Sequence, residues 1–131
     1  MAIDERTKSL DGARVLIVED EYYLADDLSR SLVQAGAEVV GPVGALAEAQ
    51  SRVGGDDFDM AVIDMNLRGD FAYAVAERLD SERVPFVIAT GYNEASLPEH
   101  LKNVPRVEKP FAARDVVSLL IDLREKIRPL D

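Results

Sequence analysis

The chain has 131 residues, a formal net charge of −10 and a sequence pI of about 4.5. That length fits one domain with an ordinary hydrophobic core, and the acidic balance argues against a nucleic-acid binder or a protein held on anionic membranes, both of which need clustered Lys and Arg. The absence of cysteine excludes disulfides, thiolate metal sites and cysteine nucleophiles.

Residues 1–12 are polar and lack the apolar centre of a signal peptide, so a flexible leader is expected before one domain over 13–128. No apolar stretch approaches the length of a membrane span, and a cytoplasmic protein is expected. Val15-Leu16-Ile17-Val18 is a short β-branched run that reads as a strand buried on both faces, ending in Glu19-Asp20. Residues 21–35 follow with Leu24, Leu28, Leu32 and Ala35 at helical spacing, Asp20 as the expected cap and Gly36 as the stop. Glu38-Val39-Val40 is a second strand, broken by Gly41-Pro42; residues 45–53 are helical up to Gly54-Gly55. Met60-Ala61-Val62-Ile63 is a third strand that ends at Asp64, and residues 71–79 form a third helix. Phe86-Val87-Ile88-Ala89 is a fourth strand running into Thr90-Gly91. Residues 93–103 form a weak helix interrupted by Pro98. Arg106-Val107-Glu108 is a short fifth strand before Lys109-Pro110, and residues 112–127 form an amphipathic helix with Val116, Leu120, Leu123 and Ile127 on its apolar face.

Strands alternating with helices imply right-handed crossovers and a parallel sheet covered on both faces. The expected fold is α/β: a doubly wound, five-stranded parallel sheet of flavodoxin-like (βα)5 type, strand order 2-1-3-4-5. Ligands of such sheets bind outside the carboxyl ends of the strands, at the switch point. The first strand delivers Glu19 and Asp20 to that edge, the third Asp64, the fourth Thr90 and Gly91, and the fifth Lys109 and Pro110. Each taken alone has a plain explanation: a helix cap, a turn residue, a strand-end hydroxyl, a surface lysine. Their convergence does not. Three carboxylates on one crevice repel one another, and a raised pKa or a bound cation must offset that. Mg2+, which takes oxygen ligands and keeps several waters, fits best. Lys109 adds a second positive group. A carboxylate so placed can act as nucleophile and form an aspartyl-phosphate, with the cation and lysine stabilising the phosphoryl oxygens. Gly91 permits close backbone approach and leaves an amide free for a phosphoryl oxygen.

The four segments Val15-Leu16-Ile17-Val18-Glu19-Asp20-Glu21, Val62-Ile63-Asp64-Met65-Asn66-Leu67, Ala89-Thr90-Gly91-Tyr92 and Glu108-Lys109-Pro110-Phe111 together resemble response-regulator receiver domains of two-component signalling. The resemblance implies that Asp64 accepts a phosphoryl group from a histidine kinase or histidine phosphotransfer protein. It implies Mg2+ held by Asp20 and Asp64, with Glu19 assisting and the Asn66 backbone carbonyl as a further ligand. It assigns Thr90 and Lys109 to the phosphoryl oxygens, and it implies a cis Lys109–Pro110 peptide. The downstream protein partner is unknown from sequence, and a monomer or weak dimer is expected.

Two departures matter. Arg106 stands where common receivers carry an aromatic switch residue, so a swinging ring behind Thr90 cannot be the signal. The run from Pro85 to Tyr92 resembles the subgroup with a Phe-Ala-Thr-Gly-Tyr-like motif, often stand-alone receivers with a flexible fourth-helix region. Tyr92 and Arg106 thus mark the expected switch region, residues 91–103 are expected to order on phosphorylation, and Tyr92 either slows loss of the phosphoryl group or packs.

Two other functions compete. A phosphate-independent interaction module would not need the intact acid, threonine and lysine set. A Mg2+-dependent phosphatase of haloacid-dehalogenase type would carry an acid two residues after its nucleophile, where this chain has Asn66. His100, the single histidine, reads as an exposed bystander rather than a relay; Asp56, Asp57 and Asp59 as a solvated loop rather than a second metal site. Asp26 and Asp27 face solvent or partners. Tyr22 and Tyr23 either line a docking face or pack. Val117 and Ile121 form a partner surface or widen the buried stripe of the last helix.

Overall fold

The computed structural model describes residues 10–55, 57–67, 69–91 and 97–127. Five strands form one parallel sheet: β1 (Arg14–Val18), β2 (Glu38–Val43), β3 (Met60–Asp64), β6 (Phe86–Thr90) and β7 (Arg106–Glu108). Their spatial order is β2-β1-β3-β6-β7. A separate antiparallel hairpin, β4 (Asn66–Leu67) and β5 (Asp70–Phe71), falls between β3 and β6 in the chain, so the order of the main sheet is the expected flavodoxin-like one. The helices are α1 (Tyr22–Gln34), α2 (Leu46–Val53), α3 (Tyr73–Ser81) and α4 (Ala113–Ile127), with a 3-10 turn at Glu99–Leu101.

Side chains alternate across each strand, and this sorts the core into two layers. Val15, Ile17, Met60, Val62 and Val87 face Leu28 and Leu32 of α1 and Val116, Leu120 and Ile121 of α4. Leu16, Val18, Ala61, Ile63 and Ile88 face Ala49 and Val53 of α2 and Val75, Ala76 and Leu79 of α3. Both faces of β1 and β3 are thus covered, which is why their sequences are continuous apolar runs instead of alternating ones.

Several details differ from the sequence expectation. β2 does not stop at Gly41-Pro42 but runs to Val43, with its pairing to β1 irregular between Leu16 and Val18. Gly41 makes this possible: it sits at φ +93, and a Cβ there would lie 3.0 Å from the Ile17 carbonyl oxygen. The Gly41–Pro42 peptide is cis, an unexpected feature, whereas the cis Lys109–Pro110 peptide is the one the resemblance implies. Phe71 belongs to the hairpin, not to α3, which starts two residues later. Asp20 is not the cap of α1; Glu21 holds that position without a side-chain cap bond. The other end of α1 matches expectation: Gly36 at φ +97 closes the helix, its N–H donating to the Val33 carbonyl while Ala37 N–H donates to Leu32.

Of the weak helix expected over 93–103, positions 93–96 lie outside the described residues; beyond Pro98 the chain forms only the 3-10 turn. Leu10 and Asp11, within the expected leader, are joined to the packed body. Leu10 is fully buried, its N–H donates to the Ala35 carbonyl, and Arg124 Nη2 donates to the Asp11 carbonyl at 2.9 Å. Ile121 is buried and Val117 packs against the same layer, so both widen the core stripe of α4. Among the described residues no helix is long and apolar enough to cross a membrane.

Candidate functional site

The sheet itself delivers the polar residues to one rim, because its ladders continue past the apolar runs. Glu19 N–H donates to the Val43 carbonyl at 2.9 Å, extending the β1–β2 ladder. Met65 N–H donates to Ala89 at 3.0 Å just beyond Asp64, and Lys109 N–H donates to the Thr90 carbonyl at 2.8 Å. The backbones of Glu19, Asp64 and Lys109 are therefore fixed by strands whose register is set by the core.

Asp64 is 1% exposed, and both its oxygens accept hydrogen bonds. Oδ1 takes the Asn66 N–H at 3.0 Å, and Oδ2 takes the Lys109 ammonium at 2.8 Å. The ammonium also lies 3.7 Å from Glu19 Oε2, which in turn accepts the Glu21 N–H at 3.1 Å. Glu19, Asp20 and Asp64 each present a carboxylate oxygen, all within 4.8 Å of one another. Among the described residues this is the one group of three or more potential metal-ligating side chains that close together.

The electrostatics follow from that crowding. Burial, then the hydrogen bond shared with Asp64 and its like charge, push the Glu19 carboxyl up to about 8; the Glu21 N–H and the Lys109 charge only partly oppose this. Burial works against the Lys109 ammonium, but the hydrogen bond to Asp64 and the charges of Asp64, Glu19 and Asp20 outweigh it and hold its pKa above the ordinary lysine value. Among the described residues, the Lys109 ammonium thus lies against both Asp64 and Glu19 in a group of three carboxylates. The donor set is all carboxylate oxygen, with no imidazole or thiolate, and that suits a hard cation such as Mg2+.

Thr90 ends β6 with its hydroxyl donating to the Val107 carbonyl of the neighbouring edge strand at 3.4 Å, not to Asp64. Gly91 comes next, half-buried. Arg106 is exposed on β7, and Tyr92 lies outside the described residues. The Asn66 side chain is committed to the hairpin turn, its Oδ1 accepting the Gly69 N–H at 2.7 Å. It stands ready neither as an acid nor as a side-chain ligand.

Asp26, Asp57, Asp59 and His100 have ion-pair partners elsewhere. Asp59 binds the Arg14 guanidinium at 3.0 Å and Asp57 that of Arg52 at 3.3 Å, while Asp56 lies outside the described residues. Asp26 pairs with Arg30, Asp27 is exposed, and His100 is half-exposed against Glu77. Tyr22 and Tyr23 are both strongly exposed, which rejects core packing. The hairpin after Asp64 is absent from the sequence expectation; its signal is the Asn66 and Gly69-Asp70 turn pattern, which a reading of residues 71–79 as pure helix absorbs.

No family model matches the chain. Solved structures do. The solution structure of SdrG from Sphingomonas melonis Fr1 is 36% identical, covering 86% of this chain and 96% of that one with a TM-score of 0.74. A response regulator receiver protein from Sinorhizobium medicae WSM419 is 27% identical over 88% of this chain and 99% of its own, TM-score 0.69. A CheY-like response regulator receiver domain protein from Methanospirillum hungatei JF-1 is 25% identical over 88% and 98%, TM-score 0.72. Among curated proteins, the transcriptional regulatory protein TcrA of Mycobacterium tuberculosis is 37% identical over 73 residues, 56% of this chain. The matched stretch spans only 28% of TcrA.

Proposed function

This chain belongs to the response-regulator receiver domains, and on that premise we propose that it accepts a phosphoryl group on Asp64 from a phosphohistidine of a histidine kinase or phosphotransfer protein. The observation that carries the reading is the Lys109 ammonium bonded at 2.8 Å to a buried Asp64 whose neighbours Glu19 and Asp20 complete a carboxylate cluster.

In the proposed reaction an Asp64 carboxylate oxygen attacks phosphorus. The new O–P bond forms as the P–N bond breaks, and the electron pair returns to the donor imidazole. Glu19, Asp20, Asp64 and the Asn66 backbone carbonyl would hold Mg2+. When bound, the ion offsets the acids' mutual repulsion and the charge on the phosphoryl oxygens. Lys109 follows the transferred charge: its ammonium, already on Asp64 Oδ2, pairs with a phosphoryl oxygen. Gly91 offers its N–H to the same group. Thr90 leaves its 3.4 Å bond to Val107, a weak one, to donate to the phosphoryl group. Because Val107 lies on edge strand β7 beside exposed Arg106, that exchange is the route by which the modification reaches the surface. The output is phosphorylation-dependent partner binding or drainage of phosphoryl groups from a kinase.

The test is intact mass after incubation with Mg2+ and a phosphoramidate, beside Asp64→Asn. A Mg2+-dependent phosphoryl adduct on the wild type alone is expected. No adduct from the small donor or from a panel of phosphorylated histidine kinases rejects the proposal and favours a phosphate-independent interaction module.

A further inference from the structure

A cleft of about 390 Å³ opens at the edge of the sheet opposite to Asp64. Pro85 and Pro105, which line it, directly precede β6 and β7, whereas Asp64 ends β3. In a parallel sheet this puts the cleft at the amino edge and the acceptor crevice at the carboxyl edge. The volume is that of a site for a small molecule. Its floor is apolar: buried Phe86 with half-buried Val84, Val104, Leu123 and the two prolines. Neither proline has an N–H to satisfy, and their carbonyls accept the N–H groups of Ala61 at 3.2 Å and Ile88 at 2.9 Å. The backbone at these two positions therefore asks nothing of a ligand.

The rim is polar and carries both signs of charge. Asp80, Arg83, His100 and Asn103 line the cleft and are exposed. His100 is held by Glu77, its Nε2 lying 3.3 Å from that carboxylate. The side chains of Asp80, Arg83 and Asn103 make no hydrogen bond or ion pair among the described residues. Asp80 and Arg83 stand three apart, a spacing that pairs opposite charges along a helix, but α3 ends before Arg83. Arg83 sits at φ +60 and, among the described residues, is the non-glycine residue with a positive φ. It follows the cap Glu82; its N–H donates to the Asp80 carbonyl at 3.1 Å and the Val84 N–H to that of Leu79 at 2.9 Å. Glycine takes such a turn without steric cost. The backbone thus gives no reason for an arginine here, whereas a guanidinium on the rim of a cleft does.

We propose that this cleft binds a free apolar α-amino acid: its carboxylate on the Arg83 guanidinium, its ammonium on the Asp80 carboxylate and its side chain on the apolar floor. A simple anion would meet the charge of Asp80, and a simple cation that of Arg83. A zwitterion brings one opposite charge to each, and the two lie side by side as they do on the rim. Arginine suits the carboxylate because its planar fork can donate two parallel hydrogen bonds. Asn103 adds an amide donor to the same rim. The site is separate from the acceptor crevice, and no step of the proposed phosphoryl transfer uses it.

The test titrates the full isotope-labelled chain with L-leucine and follows the backbone amides by NMR. Saturable shifts at Arg83, Val84 and Asn103 are expected, with a Kd below about 1 mM. N-acetyl-L-leucine lacks the ammonium and L-leucinamide lacks the carboxylate, so each should bind at least ~10-fold more weakly. Asp80→Asn and Arg83→Gly should each weaken L-leucine binding by at least ~10-fold. Glycine suits a positive φ, so Arg83→Gly should keep or raise Tm, and its lost affinity then cannot come from unfolding. Absence of a saturable shift, or equal affinity in the wild type and both variants, overturns the site. N-acetyl-L-leucine or L-leucinamide binding as tightly as L-leucine also overturns it, since one charge then suffices. Shifts confined to the amides around Asp64 do the same, because the ligand then sits at the other edge of the sheet.

Discussion

Replacing Lys109 with Met keeps the length and apolar stem of the side chain and removes its charge. In the metal-free protein the ammonium is the partner of Asp64 Oδ2 at 2.8 Å and sits 3.7 Å from Glu19, whose side chains are 1% and 2% exposed. Breaking a buried pair by removing one member costs about 3–5 kcal/mol, because the remaining charge is left desolvated. Lys109 is itself 28% exposed, so water reaches the ammonium and the low end, about 3 kcal/mol, applies. For a chain of 131 residues that corresponds to a fall in Tm of roughly 10 °C. Scanning calorimetry in EDTA measures it. The cause can be separated from lost packing with Asp64→Asn. In that background the buried charge is already gone, so Lys109→Met should lower Tm by only a few degrees. Saturating Mg2+ should recover part of the loss in the single variant by neutralising the same carboxylates. A drop of under about 2 °C, or an equal drop with and without the Asp64 charge, would refute the reasoning.

Three further outcomes follow from the fold. Leu28→Ala empties a fully buried position between α1 and the sheet and should cost about 3 kcal/mol in urea unfolding with an unchanged m-value. Gly36→Ala forces a Cβ onto a residue at φ +97 and within 2.9 Å of the Asp11 Cα, so a loss of about 2 kcal/mol is expected in the same assay. The Arg14 hydrogen bond holds the Asp59 carboxyl below the ordinary aspartate value, burial opposing it. A depressed folded pKa stabilises above the unfolded value and is lost as pH falls through the folded one. Wild type should therefore lose stability below about pH 4, and Arg14→Ala should flatten that arm of a Tm–pH profile.

Much of the site is legible in the sequence because a doubly wound sheet has one chemical edge. Once Val15 to Val18, Met60 to Ile63 and Phe86 to Ala89 are recognised as buried strands, and Arg106 to Glu108 as a short strand of the same sheet, the residue after each run must emerge at the carboxyl rim. That logic places Glu19, Asp64 and Lys109 together, and their side chains do meet. The hairpin after Asp64 escapes it because Phe71 and Tyr73 suit a strand and a helix almost equally; only the Asn66 and Gly69 turn decides that Phe71 pairs with Asn66. β2 is cut short in the sequence expectation for a similar reason. Gly41-Pro42 is a breaker by propensity, yet an edge strand has neighbours on one side only, and there the sheet absorbs the irregularity. Leu10 falls within the expected leader because one apolar residue in a polar stretch has no periodicity; its burial depends on the end of α1 and on α4, far away in sequence.

The sequence by itself determined the alternation of strands and helices, and with it the parallel sheet, its order and the rim on which the acids, Thr90 and Lys109 converge. These follow from local apolar periodicity and from the handedness of crossovers, which act over one element at a time. Tertiary structure alone decided which charges touch. It turned the Thr90 hydroxyl to Val107 rather than Asp64, tied the Asn66 side chain into a turn, and left Tyr22 and Tyr23 in solvent while burying Glu19. Those outcomes depend on angstrom-scale distances between groups up to 45 residues apart, and hydrogen bonding and desolvation act on those distances rather than on sequence spacing.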